Sequence, residues 1–92
     1  MRTGSITAVV VNYKTRDLLA ECLRSLYDEA HRLSVSFSVI VIENASHDGT
    51  VEMVRKDFPE ATLIVNEENV GLAKANNQGI SLAIDKSNTS SF

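Results

Sequence analysis

The sequence predicts an α/β fold built as a Rossmann-like parallel sheet with flanking helices. Three short apolar segments alternate along the chain with three longer segments, whose apolar residues recur every three or four positions. Such alternation favours parallel strands joined by right-handed helical crossovers. A polar loop follows each apolar segment. Because ligands bind beyond the carboxyl ends of the strands in such sheets, these loops are the candidate site.

Length and composition exclude several classes of protein. The 92 residues suffice for one small domain, and nine basic against twelve acidic residues give a net charge of −3, which disfavours nucleic acid as a partner. No apolar run approaches the roughly 20 residues that cross a bilayer. The N-terminus lacks a signal-peptide cleavage site, and a single cysteine excludes an internal disulfide. We therefore expect a cytoplasmic protein.

The first half of the chain predicts a strand over 5–11 and an amphipathic helix over 16–31. The strand reads SITAVVV, and Thr15 is a candidate helix cap with Asp17 in the first turn. The cysteine falls on the apolar face and is expected to be an inert core residue rather than a nucleophile. That face comprises Leu18, Leu19, Cys22, Leu23, Leu26 and Ala30.

The second half predicts strands over 37–42 and 61–65 and helices over 50–57 and 72–84. Asp48 is a candidate cap for the second helix, which Pro59 terminates. Gly79 inside the third helix costs up to about 1 kcal/mol against Ala, which is tolerable if another element packs closely there. The polar tail 85–92 is a candidate for disorder. The candidate buried positions of the third helix are Leu72, Ala75, Gly79, Ile80, Ala83 and Ile84.

An acid directly follows the second predicted strand, in the stretch VIVIENASHDGT. A ligand-reading acid is expected at such a strand end, and Glu43 stands there; the alternative is a solvated strand end without a ligand. The dinucleotide fold would also need G-x-G-x-x-G after the first strand, but the turn there is NYKTRD, without glycine. The sequence therefore disfavours a dinucleotide site.

Three motifs together resemble the N-terminal half of a family 2 glycosyltransferase of the GT-A fold, in particular its rhamnosyltransferase-like branch. They are VVVNYKTRDLLAECLRSL, VIVIENASHDGT and NEENVGLAKANNQGI, and they occur in the family's order. The resemblance covers about residues 5–83. It implies that the chain is a partial nucleotide-sugar-binding domain over 1–92.

The resemblance implies transfer of a sugar from a UDP- or dTDP-sugar to an acceptor. It places backbone contacts to the base at Val11, an aromatic side chain near the base at Tyr13, and the acid that accepts a hydrogen bond from the nucleoside at Glu43. The segment that closes over the nucleotide contains Gly71, Lys74 and Asn76. Independently, a carboxylate suits the imino donor of a pyrimidine, and Tyr can cover its ring.

Two departures from the family pattern qualify this expectation. The family usually has Asp where Glu43 stands, and the extra methylene moves the carboxylate by about 1.5 Å or less. The Asp-x-Asp metal motif and the catalytic base are absent from the sequence. We therefore expect a divalent metal, Mg or Mn, in the full-length enzyme and none bound by this chain, which should be inactive alone. The full-length protein could act at the inner face of the membrane.

Plainer interpretations remain open. Tyr13 could pack over the sheet edge, Lys74 could be a solvated helix residue, and Asn44 and Asp48 could serve as turn and cap residues. The whole chain could be a non-catalytic α/β binding module, or one that self-associates through an open sheet edge. A response-regulator-like domain is disfavoured, because the first strand ends in Asn-Tyr rather than an acidic pair.

Overall fold

Three parallel strands and three helices alternate along the chain, as the hydrophobic periodicity predicts. The computed structural model describes the backbone of residues 5–90 and the side chains of residues 5–85. The elements are β1 (Ser5–Asn12), α1 (Arg16–Leu33), β2 (Ser36–Glu43), α2 (Thr50–Asp57), β3 (Thr62–Val65) and α3 (Leu72–Ser90). Each predicted element is present, and the boundaries differ by a few residues. The largest difference is at α3, which makes the backbone of residues 85–90 helical.

The sheet has the strand order β1-β2-β3, with all neighbours parallel. Asn12 at the end of β1 lies opposite Glu43 at the end of β2, and Glu43 lies opposite Val65 at the end of β3. The three strands therefore end side by side, and the loops that follow them meet at one edge of the sheet. These are the first loop (13–15), the second loop (44–49) and the third loop (66–71). β1 and β3 are the outer strands.

The central strand is buried on both faces, which explains its unbroken apolar run. Val39 and Val41 belong to the core cluster formed with α1 and α2, whereas Ile40 and Ile42 belong to the cluster formed with α3. Each of the four side chains is at most 1% exposed. The fold class predicted from the sequence is thereby confirmed: an α/β, Rossmann-like sheet with helices on both faces.

The buried stripe of α1 is narrower than predicted. Leu19, Leu23 and Ala30 are buried, but Leu18 is 66% exposed and Cys22 is also exposed. The prediction that Cys22 is a core residue is therefore wrong. Positions 19, 23 and 30 form the stripe that meets the sheet, and positions 18 and 22 lie one residue before it, which turns their side chains to the flank.

The buried stripe of α3 is also narrower than predicted and centres on small residues. Ala75 and Gly79 are buried, whereas the predicted core residues Leu72, Ile80 and Ile84 are 66%, 47% and 55% exposed. The close approach of α3 to the sheet selects small side chains for the contact. None of the helices in the described part of the chain has the length and apolar composition needed to cross a bilayer.

Candidate functional site

The first loop at the carboxyl edge of the sheet is held by Asn12, the last residue of β1. Its side chain is 2% exposed. Asn12 Nδ2 donates to Ser46 Oγ at 3.4 Å and to Thr50 Oγ1 at 3.3 Å, and Asn12 Oδ1 accepts from Thr15 Oγ1 at 2.6 Å. Thr15 occupies the predicted N-cap position of α1 but makes no side-chain cap bond. Its hydroxyl is instead directed to Asn12, because that buried carbonyl oxygen needs a donor.

The Glu43 carboxylate is buried at the end of β2 and folds back onto its own loop. It is 2% exposed, so the alternative of a solvated strand end is wrong. Both of its oxygens accept the backbone N–H of Ser46, at 3.1 and 3.2 Å. Ser46 is itself 4% exposed, and its Oγ accepts the backbone N–H of Lys14 at 2.7 Å. Ser46 therefore connects the acid to the first loop.

The backbone of the second loop adopts an unusual conformation around this acid. Ala45 and His47 have φ values of +65° and +55°, and Gly49 has a φ of +88°. Positive φ is uncommon for residues with a Cβ and is found where the surroundings enforce it, often at functional sites. The contacts of the surrounding residues therefore hold the turn after Glu43 in this conformation.

Asp48 links the second loop to the start of α2 through hydrogen bonds. Its Oδ1 accepts from the backbone N–H of Thr50 at 3.2 Å and from the Thr50 hydroxyl. The hydrogen bond from the Thr50 hydroxyl is the main reason why the pKa of Asp48 lies below its ordinary value. Burial acts in the opposite direction, but its effect is smaller. Gly49 occupies the N-cap position, so Asp48 acts one residue earlier than a cap. Arg16 adds a link from α1, donating from Nη1 to the Asp48 carbonyl at 3.0 Å.

Asn44 holds the third loop. It is 2% exposed. Its Oδ1 accepts from Asn66 Nδ2 at 3.2 Å and from the Val70 N–H at 3.0 Å. Its Nδ2 donates to Asn69 Oδ1 at 2.9 Å and to the Gly71 carbonyl at 3.5 Å. Asn44 was predicted as a turn residue, but its partners lie 22 to 27 positions away, so it joins two loops.

A pair of side-chain amides connects the third loop to α3. Asn66 Nδ2 donates to Gln78 Oε1 at 2.9 Å, and Gln78 Nε2 donates to Asn66 Oδ1 at 3.0 Å. The pair satisfies both amides without charge. Together with Asn44, it makes the end of β2, the end of β3 and the start of α3 one connected unit.

A cavity of about 130 Å³ lies beside the second and third loops. The residues that line it include Glu43, His47, Asp48, Glu52, Val65 and Asn66. Carboxylate and amide oxygens on these walls can accept hydrogen bonds from a ligand. Across residues 5–85, no three His, Cys, Asp or Glu side chains are grouped so that they could hold a metal ion. No metal site was expected in this chain, and the Mg or Mn expected for the full-length enzyme stays a prediction.

The structure brings some of the sequence-predicted residues together. Glu43 lines the cavity. Tyr13 is 43% exposed, and the residue after it, Lys14, is hydrogen-bonded to Ser46, which in turn donates to Glu43. The Lys14 ammonium lies 5.1 Å from the centroid of the Tyr13 ring. Gly71 has a φ of +87° and is joined to the residue after Glu43.

The other three predicted residues, like Tyr13 and Gly71, are not among those that line the cavity. Val11 is half-buried in β1 and packs with the cluster under α3. Lys74 and Asn76 lie on α3, the former exposed and the latter half-buried.

Sequence reasoning did not single out Ser46 and Thr50, although both are buried in the site. Asn12 was noted only as part of a polar break after the first strand. These residues meet across 34 to 38 positions of sequence. A serine in a polar loop carries no local signal of such a contact. The one available indication was their position, at the end of a strand or within seven residues after it.

The residues that form this site lie within the segment shared with a known family. A comparison with curated proteins found no match. The model of the family described as "Glycosyl transferase family 2" matches residues 7–86, from β1 into α3 and across all three loops. On this match, the chain belongs to glycosyl transferase family 2.

Proposed function

We propose that this chain is the nucleotide-binding portion of a glycosyltransferase that takes its sugar from a UDP- or dTDP-sugar. One observation carries the proposal: the buried carboxylate of Glu43 stands at the carboxyl end of the central strand and lines a cavity. In open α/β sheets this edge is where ligands bind. Membership of the family supports sugar transfer in general.

The carboxylate has the capacity to read a pyrimidine base. An ionised carboxylate offers about four acceptor positions, of which the Ser46 N–H occupies two. The remaining positions can accept the imino N–H of uracil or thymine, and a hydrogen bond to a charged acceptor is stronger than one to a neutral acceptor. The exposed ring of Tyr13 offers a flat surface for the base.

The other predicted residues complete this proposal. The backbone of Val11 would contact the base from the end of β1, while Gly71, Lys74 and Asn76 would close over the nucleotide. Lys74 and the amino end of α3 both favour a negatively charged diphosphate. A rhamnosyltransferase-like specificity, and action at the inner face of the membrane for a full-length enzyme, rest on the motif resemblance. A cytoplasmic location is proposed from the N-terminal sequence and the single cysteine. A divalent metal, Mg or Mn, stays an expectation for the full-length enzyme.

The direct test is a titration of the purified chain with UDP, dTDP and ADP, followed by NMR of the backbone amides. We expect UDP or dTDP to shift the amides of Ser46 and Lys14 and to bind more tightly than ADP. Glu43→Gln keeps one acceptor for the Ser46 N–H but removes the charge. It should weaken pyrimidine-nucleotide binding by about tenfold or more, because bonds to charged groups contribute about 1.5–3 kcal/mol.

Glu21→Gln is the matched control, since it removes the same charge from an exposed position on α1. Its nucleotide affinity should equal that of the wild type. The proposal is wrong if no pyrimidine nucleotide binds, if ADP binds as tightly as UDP, or if Glu43→Gln binds UDP unchanged.

The second candidate is a self-associating module, and the outer strand β1 favours it. β1 has eight residues and contains neither a charged residue nor a proline. Natural edge strands usually carry such residues to prevent pairing with another chain. A stable dimer in sedimentation equilibrium, dissociated by Thr7→Lys and showing no affinity for nucleotides, would favour this candidate over the first.

A further inference from the structure

Ser46 uses its backbone and its side chain for two different connections. Its N–H donates to both oxygens of the Glu43 carboxylate, and its Oγ accepts the Lys14 N–H at 2.7 Å. Asn12 Nδ2 approaches the same Oγ at 3.4 Å. With 4% of its surface exposed, Ser46 is enclosed by the first and second loops.

From this arrangement we infer that Ser46 is a positioning residue, which couples the Tyr13–Lys14 segment to the Glu43 carboxylate and so sets the shape of the nucleotide site. This inference rests on the proposed function only for the ligand it names. The coupling itself follows from the contacts of Ser46. Since Ser46 is buried, it acts through Lys14 and Glu43 rather than through the ligand.

The backbone conformation of both loops makes this coupling necessary. Lys14 has a φ of +56°, and Ala45 and His47 on either side of Ser46 also have positive φ. Residues with a Cβ hold this conformation only where surrounding contacts enforce it. The backbone N–H of Lys14 donates to Ser46 Oγ, and this bond anchors the Lys14 backbone to the second loop. Without the hydroxyl oxygen, Lys14 loses the partner that fixes its orientation.

Amide hydrogen exchange measured by NMR on the full chain tests the coupling without any ligand. Ser46→Ala removes the acceptor and keeps the N–H that binds Glu43. We expect the Lys14 amide to exchange about tenfold faster or more. The Ala75 amide on α3 donates to the Gly71 carbonyl and should keep its relative protection. Ser46→Thr retains an oxygen and should restore slow exchange. Ser46→Cys, with a weaker acceptor, should be intermediate and offers a milder change should the alanine variant not fold.

Ser38→Ala is the matched control, because it also removes a serine hydroxyl that pairs with a side chain, Thr7 Oγ1, at an exposed site on β2. It should leave the Lys14 amide unchanged. Equal exchange of Lys14 in the wild type and in Ser46→Ala or Ser46→Cys would overturn the inference. So would an acceleration that is uniform over all amides.

Titration of the same variants with UDP and dTDP tests the role in the site. We expect the affinity to fall about fivefold or more in Ser46→Ala and to recover in Ser46→Thr. Unchanged affinity in Ser46→Ala would overturn the positioning role while leaving the proposed function intact. If the wild type binds neither nucleotide, the proposed function fails, and the Lys14 exchange still decides whether Ser46 couples the loops.

Discussion

Gly79 on α3 lies directly against Val9 on β1, so that a Cβ built on the glycine would stand 2.4 Å from Val9 Cγ1. The same Cβ would stand 2.7 Å from Ile42 Cδ1. Real side chains do not approach so closely, and both neighbours lie in the packed interior under α3. The glycine that appears unfavourable within a helix is therefore the residue that permits α3 to rest on the sheet.

Gly79→Ala should destabilise the protein even though alanine is the better helix former. Overpacking costs about 1–3 kcal/mol, and the helix-propensity gain returns only about 1 kcal/mol. Urea unfolding measures the difference. Ser81→Ala, at an exposed position of the same helix, is the control and should stabilise by up to about 0.5 kcal/mol. A Gly79→Ala variant more stable than the wild type would contradict the close packing.

Asn44→Ala should release the third loop from the end of β2. The Val70 N–H loses its side-chain acceptor, and the side chains of Asn66 and Asn69 each lose one of their two hydrogen-bond partners, so stability should fall by about 1–3 kcal/mol. Asn44→Asp retains an acceptor for Val70 but loses the donor to Asn69. Amide exchange should therefore show Val70 unprotected in the alanine variant and still protected in the aspartate variant. Equal protection of Val70 in both variants would refute this assignment.

Tyr27→Phe should maintain or raise stability, by up to about 1 kcal/mol. Within residues 5–85, the Tyr27 hydroxyl is buried without a hydrogen-bond partner, while its ring stacks on Phe58 with centroids 6.1 Å apart and meets Phe37 edge-on at 5.3 Å. The substitution keeps both ring contacts. Thermal unfolding measures the effect, with Tyr13→Phe as an exposed control. A loss of stability specific to Tyr27→Phe would show that the hydroxyl has a stabilising partner.

The stability difference between the wild type and Tyr27→Phe should depend on pH, because folding raises the pKa of Tyr27. Burial, and secondly the nearby Glu60, raise the pKa of Tyr27 above 10.0. The folded state therefore disfavours the phenolate. The associated stability is present below about pH 10 and is lost as the pH rises through the folded pKa. The wild type should lose stability relative to Tyr27→Phe above that pH, which urea unfolding measures.

Asp48 should make the protein sensitive to acid. Because the pKa of Asp48 is held below 3.8 in the folded state, its stabilising effect is present above that value and is lost as the pH falls through the folded pKa. Asp48→Asn does not titrate, so its stability difference from the wild type should shrink below about pH 4. Asp28→Asn, on the exposed side of α1, is the control. A difference for Asp48→Asn that is independent of pH would contradict the assignment.

The elements of this fold could be predicted from local patterns, because each pattern reflects where its own residues lie. The run Val39–Ile42 indicated a buried strand, and the strand is buried as expected. Glu43 was singled out as a candidate ligand-binding acid from its position directly after that run. The alternation of strands and helices then left few topologies open, since parallel crossovers are right-handed. Element type, element order and the edge at which the polar loops meet all follow from such patterns.

Only the folded chain decided which side chains meet. Cys22 fits the apolar periodicity of α1 but is exposed, because the sheet contacts a narrower stripe of the helix. Ser46 and Asn12 lie 34 positions apart in sequence, yet they touch at the edge of the sheet. Hydrophobic periodicity indicates on which face of its own helix or strand a residue lies. It carries no information on hydrogen bonds between distant loops, which depend on distances that exist only after the strands have paired.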